Sequence, residues 1–321
     1  MAERHLGTTD LRLSAVGLGC NNFGIRLDLS AASNVVHAAL DAGITVFDTA
    51  DIYGNRGGSE SILGKALGTR RKDVVLITKF GLAMDDEGEL KGGSYAYVMT
   101  AVEASLKRLK TDWIDLYYLH RPDPTTPIEE TLRALDTLVR QGKVRYIGCS
   151  NMSAAQVTEA QRISQANGLN RFVTCQDQYS LLSREIEAAL VPAMEANGLS
   201  LLPYFPLASG MLTGKYAFGA PLPEGTRLSR TRYSERFLND ENFHIVERLR
   251  EFCAQRDRSL LELAFGWLLS KPLVGCVIAG ASTPEQVKNN VAASGWRLDA
   301  AEMGKADQLS TKLTAEQREA N

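Results

Sequence analysis

The sequence predicts a closed (β/α)8 TIM barrel, an α/β fold in which eight parallel strands are surrounded by helices. Short apolar runs alternate with longer segments of helical periodicity, and this alternation is typical of right-handed βαβ units and a parallel sheet. The apolar runs number eight. With their helices they occupy about 270 residues, close to the ~250 that such a barrel needs. An open doubly wound sheet is the alternative, and the count of eight favours closure.

The predicted elements follow one another in regular order. Strands are expected at 15–23, 44–50, 73–80, 113–120, 144–150, 171–178, 199–206 and 273–280. Helical segments are expected at 30–42, 58–68, 94–109, 128–141, 153–166, 184–197, 243–270 and from 283 onward. Residues suited to helix starts stand near several first turns, namely Ser30, Ser94, Pro127 and Ser153. Glycines suited to left-handed C-caps follow several helix ends, namely Gly43, Gly142, Gly168 and Gly198.

Two segments lie outside the predicted strand and helix pattern. Residues 5–17 alternate around a Gly-Thr-Thr-Asp turn, which predicts an N-terminal β-hairpin that plugs the bottom of the barrel. Residues 219–242 are rich in Pro, Gly and Arg, and a loop of that length at the C-terminal face is typical of a lid or a ligand clamp. All of 1–321 is therefore expected to form a single barrel domain.

Composition excludes several classes of protein. The 321 residues are 44% hydrophobic and 23% charged, with a formal net charge of -2, so we expect neither nucleic acid nor an anionic membrane as a partner. No apolar run approaches the ~18 residues of a membrane span, and the N-terminus has no signal-peptide pattern. The cysteines are scattered and odd in number (Cys20, Cys149, Cys175, Cys253 and Cys276). This pattern favours reduced thiols, a cytoplasmic location and no metal site.

The residues that end the predicted strands are the first indication of function. In this fold the active site forms at the carboxyl ends of the strands. Polar or aromatic residues stand at those ends: Asp48, Lys79, His120, Ser150 with Asn151, Gln176, Tyr204 and the Gly280 turn. One such residue is more often structural than functional. Seven strand ends of this kind are expected to face one cavity and are not explained by strand capping alone.

Three of these positions, together with Tyr53, predict carbonyl chemistry. Tyr53, on the loop after the second strand, can lean over the barrel mouth, where the ammonium of Lys79 is expected to lower its pKa from ~10. Asp48 balances Lys79 and holds it in place. His120 offers a ring nitrogen to orient a carbonyl oxygen. A tyrosine tuned in this way is a general acid for an oxygen that gains negative charge. No side chain supplies a hydride, so a nicotinamide cofactor is implied.

Five stretches, in order along the chain, resemble the aldo-keto reductase superfamily. They are "FDTADIYG", "LITKF", "LYYLHRPD", "VRYIGCSN" and "PLASGMLTGKY". The resemblance covers nearly the whole chain and implies a barrel, NADPH as the usual cofactor and no metal. It also implies a catalytic tetrad of Asp48, Tyr53, Lys79 and His120, with Tyr53 as the acid or base.

The resemblance also implies a set of cofactor contacts. Ser150, Asn151 and Gln176 match the residues that hold the nicotinamide carboxamide, and Tyr204 matches the ring that stacks on the nicotinamide. The pyrophosphate side is implied at Phe205, Pro206, Leu207, Ser209 and Lys215. The adenosine side is implied at Gly280, Ser282, Gln286, Asn289 and Asn290.

The branch that the chain resembles most includes bacterial reductases and the β-subunits of voltage-gated potassium channels. That branch implies that Ser282, Gln286 and an arginine of the long loop bind the 2′-phosphate, and Arg227 is the best candidate for the arginine. A solvated loop charge is the alternative for Arg227. NADPH is accordingly favoured over NADH.

The expected activity is the NADPH-dependent reduction of aldehydes or ketones to alcohols. The pocket loops mix few aromatic residues with polar ones, so an aldehyde, a ketone or a sugar all fit, and the oligomeric state cannot be read. Two alternatives stay open. One is an NAD(P)-dependent sugar or alcohol dehydrogenase, which cofactor preference would distinguish. The other is a non-catalytic, redox-sensing NADPH-binding subunit; His120 argues against it, because the channel β-subunits depart from that histidine.

Overall fold

The computed structural model describes residues 2–229 and 231–312, and within them the predicted barrel is confirmed. A two-stranded hairpin, β1 and β2, precedes eight parallel strands, β3 to β10. Their order around the sheet is β10-β3-β4-β5-β6-β7-β8-β9. The barrel strands are β3 (Val16–Gly19), β4 (Val46–Asp48), β5 (Val75–Phe80), β6 (Ile114–Leu119), β7 (Val144–Ser150), β8 (Phe172–Gln176), β9 (Ser200–Leu201) and β10 (Val277–Gly280). Each lies within an apolar run predicted from the sequence.

Backbone contacts between the last two strand regions close the sheet. The Leu201 amide donates to Leu273 O at 2.8 Å, and the Gly275 amide donates to Leu201 O at 2.9 Å. Further along, the Ile278 amide donates to Pro203 O at 3.0 Å. Because β10 also pairs with β3, no strand of the barrel is left with a free edge.

The N-terminal hairpin plugs the barrel, as the sequence predicts. Its strands are β1 (Glu3–His5) and β2 (Arg12–Ser14), and they pair in antiparallel fashion. Leu6, Leu11 and Leu13 are buried against side chains that fill the barrel interior, namely Val46, Val75, Ile77, Leu116, Tyr118, Leu202, Cys276 and Ile278. This layer closes the end of the barrel opposite the carboxyl ends of the strands.

Helices surround the barrel in the expected order. They are α1 (Leu29–Asp41), α2 (Tyr53–Leu67), α3 (Tyr95–Leu109), α4 (Ile128–Arg140), α5 (Ala154–Ala166), α6 (Leu190–Ala196), α7 (Thr231–Phe237), α8 (Asp240–Ala254), α9 (Leu260–Leu269), α10 (Pro284–Ala293) and α11 (Ala300–Leu309). Ser94 and Ser153 cap α3 and α5 as predicted. The glycines expected at helix ends, Gly43, Gly142, Gly168 and Gly198, all have positive φ.

The structure corrects four details of the sequence-based prediction. The segment 243–270 is two helices, α8 and α9, because a turn intervenes before Ser259, which caps α9. The segment 184–197 begins as a 3-10 turn at Glu185–Ala188. Asp28, not Ser30, caps α1. The segment 219–242 is only partly loop, since it contains a 3-10 turn at Arg227–Ser229 and all of α7.

Close packing of α2 on α3 gives a stability prediction. A Cβ atom placed on Gly64 would lie 2.6 Å from both the carbonyl carbon and oxygen of Leu109 and 2.7 Å from Arg108 O. These are backbone atoms, which cannot rotate away. We expect Gly64→Ala to lower the free energy of unfolding by ~1–3 kcal/mol, the usual cost of overpacking. Chemical denaturation measures this change.

The matched control is Gly304→Ala, in α11. A Cβ atom at Gly304 meets nothing within 4 Å, so the higher helix propensity of alanine should stabilise the protein by up to about 1 kcal/mol. Equal effects of the two substitutions would contradict the packing described for α2 and α3.

Candidate active site

The predicted strand-end residues lie together at the carboxyl edge of the barrel. Asp48 is the last residue of β4, Lys79 lies near the end of β5, and His120 follows β6. Backbone hydrogen bonds connect these strand ends to one another. The Asp51 amide donates to Lys79 O at 3.1 Å, and the His120 amide donates to Phe80 O at 2.9 Å. Parallel register thus brings three chemically different side chains from neighbouring strands to one level.

Asp48 and Lys79 form a buried ion pair. Lys79 Nζ donates to Asp48 Oδ1 at 2.8 Å, to Asp48 Oδ2 at 2.9 Å and to Thr49 O at 2.7 Å. Lys79 is 0% exposed, so its charge has no water to solvate it. Burial acts to lower the pKa of Lys79, but Asp48 and Tyr53 outweigh it and hold that pKa above its usual value. Lys79 is therefore a fixed ammonium.

Tyr53 lies over this ion pair. Lys79 Nζ is 5.1 Å from the centroid of the Tyr53 ring, and the His120 ring meets Tyr53 edge-on with centroids 5.6 Å apart. Positive φ at the residues after Tyr53 turns the chain sharply. One of them must be glycine, since a Cβ at Gly54 would lie 2.3 Å from Ser59 N.

The predicted lowering of the Tyr53 pKa is wrong. The side chain is partly exposed at the mouth, yet burial among protein atoms raises the pKa of Tyr53 above its usual value. Lys79 acts in the predicted direction and lowers it, but part of that effect is cancelled by Asp48, whose carboxylate neutralises the ammonium. Tyr53 consequently keeps its proton at neutral pH.

His120 is a neutral imidazole. Burial, and then the charges of Lys79 and Arg121, hold the pKa of His120 well below its usual value. Its Nδ1 is buried and has no hydrogen-bond partner in the described part of the chain. A neutral ring beside Tyr53 can hydrogen-bond a carbonyl oxygen without adding a second positive charge to the site.

A polar network links the predicted carboxamide-binding residues. Ser150 Oγ donates to Gln176 O at 2.6 Å, Asn151 Nδ2 donates to Ser150 Oγ at 2.8 Å, and the Tyr204 hydroxyl donates to Asn151 Oδ1 at 2.8 Å. Gln176 Nε2 also donates to Asp48 Oδ1 at 2.8 Å. The structure therefore joins these residues to the Asp48–Lys79 pair through Gln176, a contact that sequence reasoning did not foresee.

Sequence reasoning missed two buried carboxyl groups beside this network. Asp177 Oδ1 accepts from the Asn151 amide at 3.1 Å, where Asn151 adopts a left-handed φ of 59°. Burial raises the pKa of Asp177 to about 7. Asp51 is 1% exposed, and burial, assisted by Glu60, raises its pKa to about 8. The only signals in the sequence were that Asp177 directly follows Gln176 and that Asp51 lies two residues before Tyr53.

The predicted pyrophosphate side is a strained turn after β9. Phe205, Ala208 and Ser209 have φ values of 52°, 46° and 57°, in the left-handed region. Ser209 Oγ is buried without a hydrogen-bond partner in the described residues. A Cβ on Gly210 would lie 3.3 Å from Lys215 Nζ, so the lysine packs directly over this turn. Pro206 is buried and Leu207 is half-buried in the same turn.

The predicted adenosine side is gathered around two asparagines, Asn21 and Asn22. Arg227 Nη2 lies 3.4 Å from Asn21 Oδ1 and 3.3 Å from Asn22 Oδ1. Asn22 Nδ2 lies 3.5 Å from Ser282 Oγ. The same cluster includes Gly280, whose Cβ position is 3.9 Å from Asn22 Nδ2, and Gln286, whose Oε1 accepts from the Ser282 amide at 2.7 Å.

Two predicted contacts are not joined to this cluster. Asn289 is exposed and Asn290 is buried, both on α10. No side-chain hydrogen bond links either of them to the cluster in the described part of the chain.

Comparisons with known proteins identify the family to which the chain belongs. A model of the Aldo/keto reductase family matches residues 15–311. A probable voltage-gated potassium channel subunit beta from Oryza sativa subsp. japonica is 38% identical over 301 residues, covering 91% of each chain. An L-glyceraldehyde 3-phosphate reductase from Escherichia coli (strain K12) is 34% identical over 305 residues, covering 91% of this chain and 87% of that one.

A solved structure is also similar. The aldo-keto reductase AKR11C1 from Bacillus halodurans, in its holo form, matches with a TM-score of 0.82 and 35% identity, covering 99% of both chains. Within residues 2–229 and 231–312, every helix is too short or too polar to cross a membrane. The chain belongs to the aldo/keto reductase family of oxidoreductases, which use nicotinamide cofactors.

Proposed function

We propose that this protein reduces aldehydes or ketones to alcohols with NADPH, and that Tyr53 is the general acid. The observation that carries the proposal is that Tyr53 lies between the buried lysine of the Asp48–Lys79 pair and the ring of His120. These groups meet at the barrel edge where enzymes of this fold have their active sites.

Each of the four candidate catalytic residues has a separate role in transferring one proton to the carbonyl oxygen. Tyr53 holds the proton that the carbonyl oxygen takes up as negative charge develops on it. Lys79 stabilises the phenolate that Tyr53 becomes, and Asp48 keeps Lys79 charged and in place. His120 orients the carbonyl oxygen toward Tyr53. When bound, a nicotinamide supplies the hydride.

The chain's own residues fit such a cofactor. Ser209 Oγ, which has no hydrogen-bond partner among the described residues, and the ammonium of Lys215 lie at one left-handed turn, an arrangement suited to a diphosphate. Asn151 and Gln176 present amide groups of the kind that pair with a carboxamide. Tyr204 supplies a partly exposed ring next to them. We propose that these residues bind the two halves of the dinucleotide, with Ser150 holding Asn151 in position.

We propose NADPH over NADH because a guanidinium lies in the adenosine-side cluster. We expect Arg227→Ala to raise the NADPH dissociation constant about 10- to 100-fold, the value of charge-assisted hydrogen bonds to a phosphate, and to change the NADH constant much less. Fluorescence titration with both cofactors measures this. Arg133→Ala, on the outer helix α4, is the control. An unchanged NADPH constant in Arg227→Ala would remove Arg227 from the site.

Small aldehydes are the substrate class that we favour. The Escherichia coli relative is named for the reduction of L-glyceraldehyde 3-phosphate. An absorbance assay at the nicotinamide band with a panel of aldehydes and ketones tests the activity. Turnover with NADPH supports the proposal. Tight NADPH binding without turnover of any carbonyl compound would instead support the second candidate below.

The second candidate is a redox-sensing subunit that binds NADPH without turnover. Similarity to proteins named as potassium channel β-subunits favours it. His120 in contact with Tyr53 favours catalysis, because a sensor needs no group to orient a carbonyl. A dehydrogenase working in the oxidative direction would share this site and differ in cofactor preference. The cytoplasmic location and the single-domain organisation of 1–321 stay predictions.

A further inference from the structure

An uncompensated arginine stands next to the candidate catalytic residues. Arg121 directly follows His120 at the carboxyl end of β6, and its side chain is exposed. Its charge acts on both His120 and the Tyr204 hydroxyl. Its guanidinium makes no ion pair or hydrogen bond with the residues that the structure describes. Arg121 therefore presents an unused positive charge and a fork of donors at the barrel mouth.

A second arginine approaches the same place from the long C-terminal-face segment. Arg236 lies on α7, which packs against the turn Ala208–Thr213 that follows β9. Its side chain is exposed, and its charge also acts on the Tyr204 hydroxyl. Its guanidinium lies 5.6 Å from the Phe237 ring and has no carboxylate partner in the described part of the chain.

Several acidic residues of the loops at this edge already have other partners. Asp123 accepts from the Thr125 and Thr126 hydroxyls and from the Gly93 amide. Asp86 pairs with Arg56 at 2.5 Å. Asp177 is buried beneath Asn151. In the described residues most exposed arginines pair with a carboxylate, so the two without one at the mouth are available for a ligand charge.

We infer that Arg121, together with Arg236, recognises an anionic group on the substrate, so that the preferred substrate is a small aldehyde carrying a phosphate or a carboxylate. The inference rests on the proposed reductase function and adds the substrate class. A guanidinium group forms bidentate hydrogen bonds with phosphates and with carboxylates. We favour a short aldehyde because Arg121 directly follows His120, the residue proposed to orient the reacting oxygen.

The test compares matched substrates. The ratio of kcat/KM is measured for glyceraldehyde 3-phosphate against glyceraldehyde, and for succinic semialdehyde against butanal. We expect wild type to prefer the anionic member of at least one pair about 10- to 100-fold, the value of charge-assisted hydrogen bonds. The pair that shows the larger ratio distinguishes phosphate from carboxylate. Arg121→Gln and Arg236→Gln should each lower that ratio, and Arg133→Gln should leave it unchanged.

Two results would overturn the inference. One is a wild-type ratio near one for both pairs. The other is an equal fall in kcat/KM for both members of a pair in Arg121→Gln, which would mean that Arg121 only supports the position of His120. A phosphate-dependent ratio that survives both substitutions would equally assign the anion to another site.

A binding measurement separates this inference from the proposed function. Calorimetry follows glycerol 3-phosphate and glycerol titrated into wild type and Arg121→Gln in the presence of NADP+. Arg121-dependent binding of glycerol 3-phosphate without turnover of any aldehyde would support the anion site and contradict the reductase. Turnover of neutral aldehydes without Arg121-dependent binding would support the reductase and contradict the anion site.

Discussion

Tyr53→Phe should lose ~10²- to 10⁴-fold of carbonyl-reducing turnover, the range for removal of a general acid. The substitution deletes only the hydroxyl and leaves the ring against His120. Because Tyr53 is not among the residues proposed to hold the cofactor, NADPH affinity should stay within about twofold of wild type. Steady-state kinetics and fluorescence titration measure the two quantities on one preparation.

The pH profile of the wild type gives an independent check on the same residue. Burial raises the pKa of Tyr53 above its usual value of 10.0. Tyr53 therefore stays protonated, as a general acid must be, at any pH below that raised pKa. The rate of reduction should therefore show no decline from deprotonation of Tyr53 over roughly pH 6–9. Near-normal turnover in Tyr53→Phe would show that another group delivers the proton.

Lys79→Met should destabilise the protein by ~3–5 kcal/mol, the cost of leaving a buried charge without its partner. Asp48 would lose both ammonium hydrogen bonds and, among the described residues, keep the side-chain bond from Gln176 alone. Turnover should fall as well, because the phenolate of Tyr53 would lose its nearest positive charge. Chemical denaturation measures the free energy of unfolding.

The double variant Asp48→Asn with Lys79→Met separates charge from shape. If the uncompensated carboxylate causes the loss, removing its charge should recover part of the stability that Lys79→Met loses. A free energy of unfolding in Lys79→Met within about 0.5 kcal/mol of wild type would contradict the buried pair.

The barrel was predictable because each strand is buried on both faces and so forms a short apolar run. The position of β9 illustrates the limit. Its apolar run covers eight residues, 199–206, but only Ser200–Leu201 forms regular strand, because Pro203 has no amide to donate and the chain then enters a left-handed turn. Propensity locates such an element without giving its bounds.

The break between α8 and α9 was missed for a similar reason. Residues 255–259 carry no proline or glycine, so periodicity continues through them. The turn depends instead on Asp257 in a left-handed conformation, with φ of 53°, and on the Ser259 capping box. Polar residues can adopt such a turn or continue a helix, and tertiary packing decides between the two.

In the candidate site, the positions of the residues were predictable, but their electrostatics and long-range contacts were not. Asp48, Lys79 and His120 were placed correctly at one edge because parallel strands all end there. The sign of the Tyr53 pKa shift was not predictable, since it depends on the balance between burial and a Lys79 charge that Asp48 already neutralises. The bond from Gln176 to Asp48 joins residues 128 positions apart and follows only from closure of the barrel.

The most direct test of the reductase proposal is isotope transfer. NADPH carrying deuterium at the transferred C4 position is mixed with the protein and a small aldehyde, and the alcohol is examined by mass spectrometry. The proposal predicts an alcohol carrying one deuterium on the former carbonyl carbon, formed by wild type and at a rate at least ~10²-fold lower by Tyr53→Phe. Absence of labelled alcohol with wild type, or its formation at equal rates by both proteins, would contradict it.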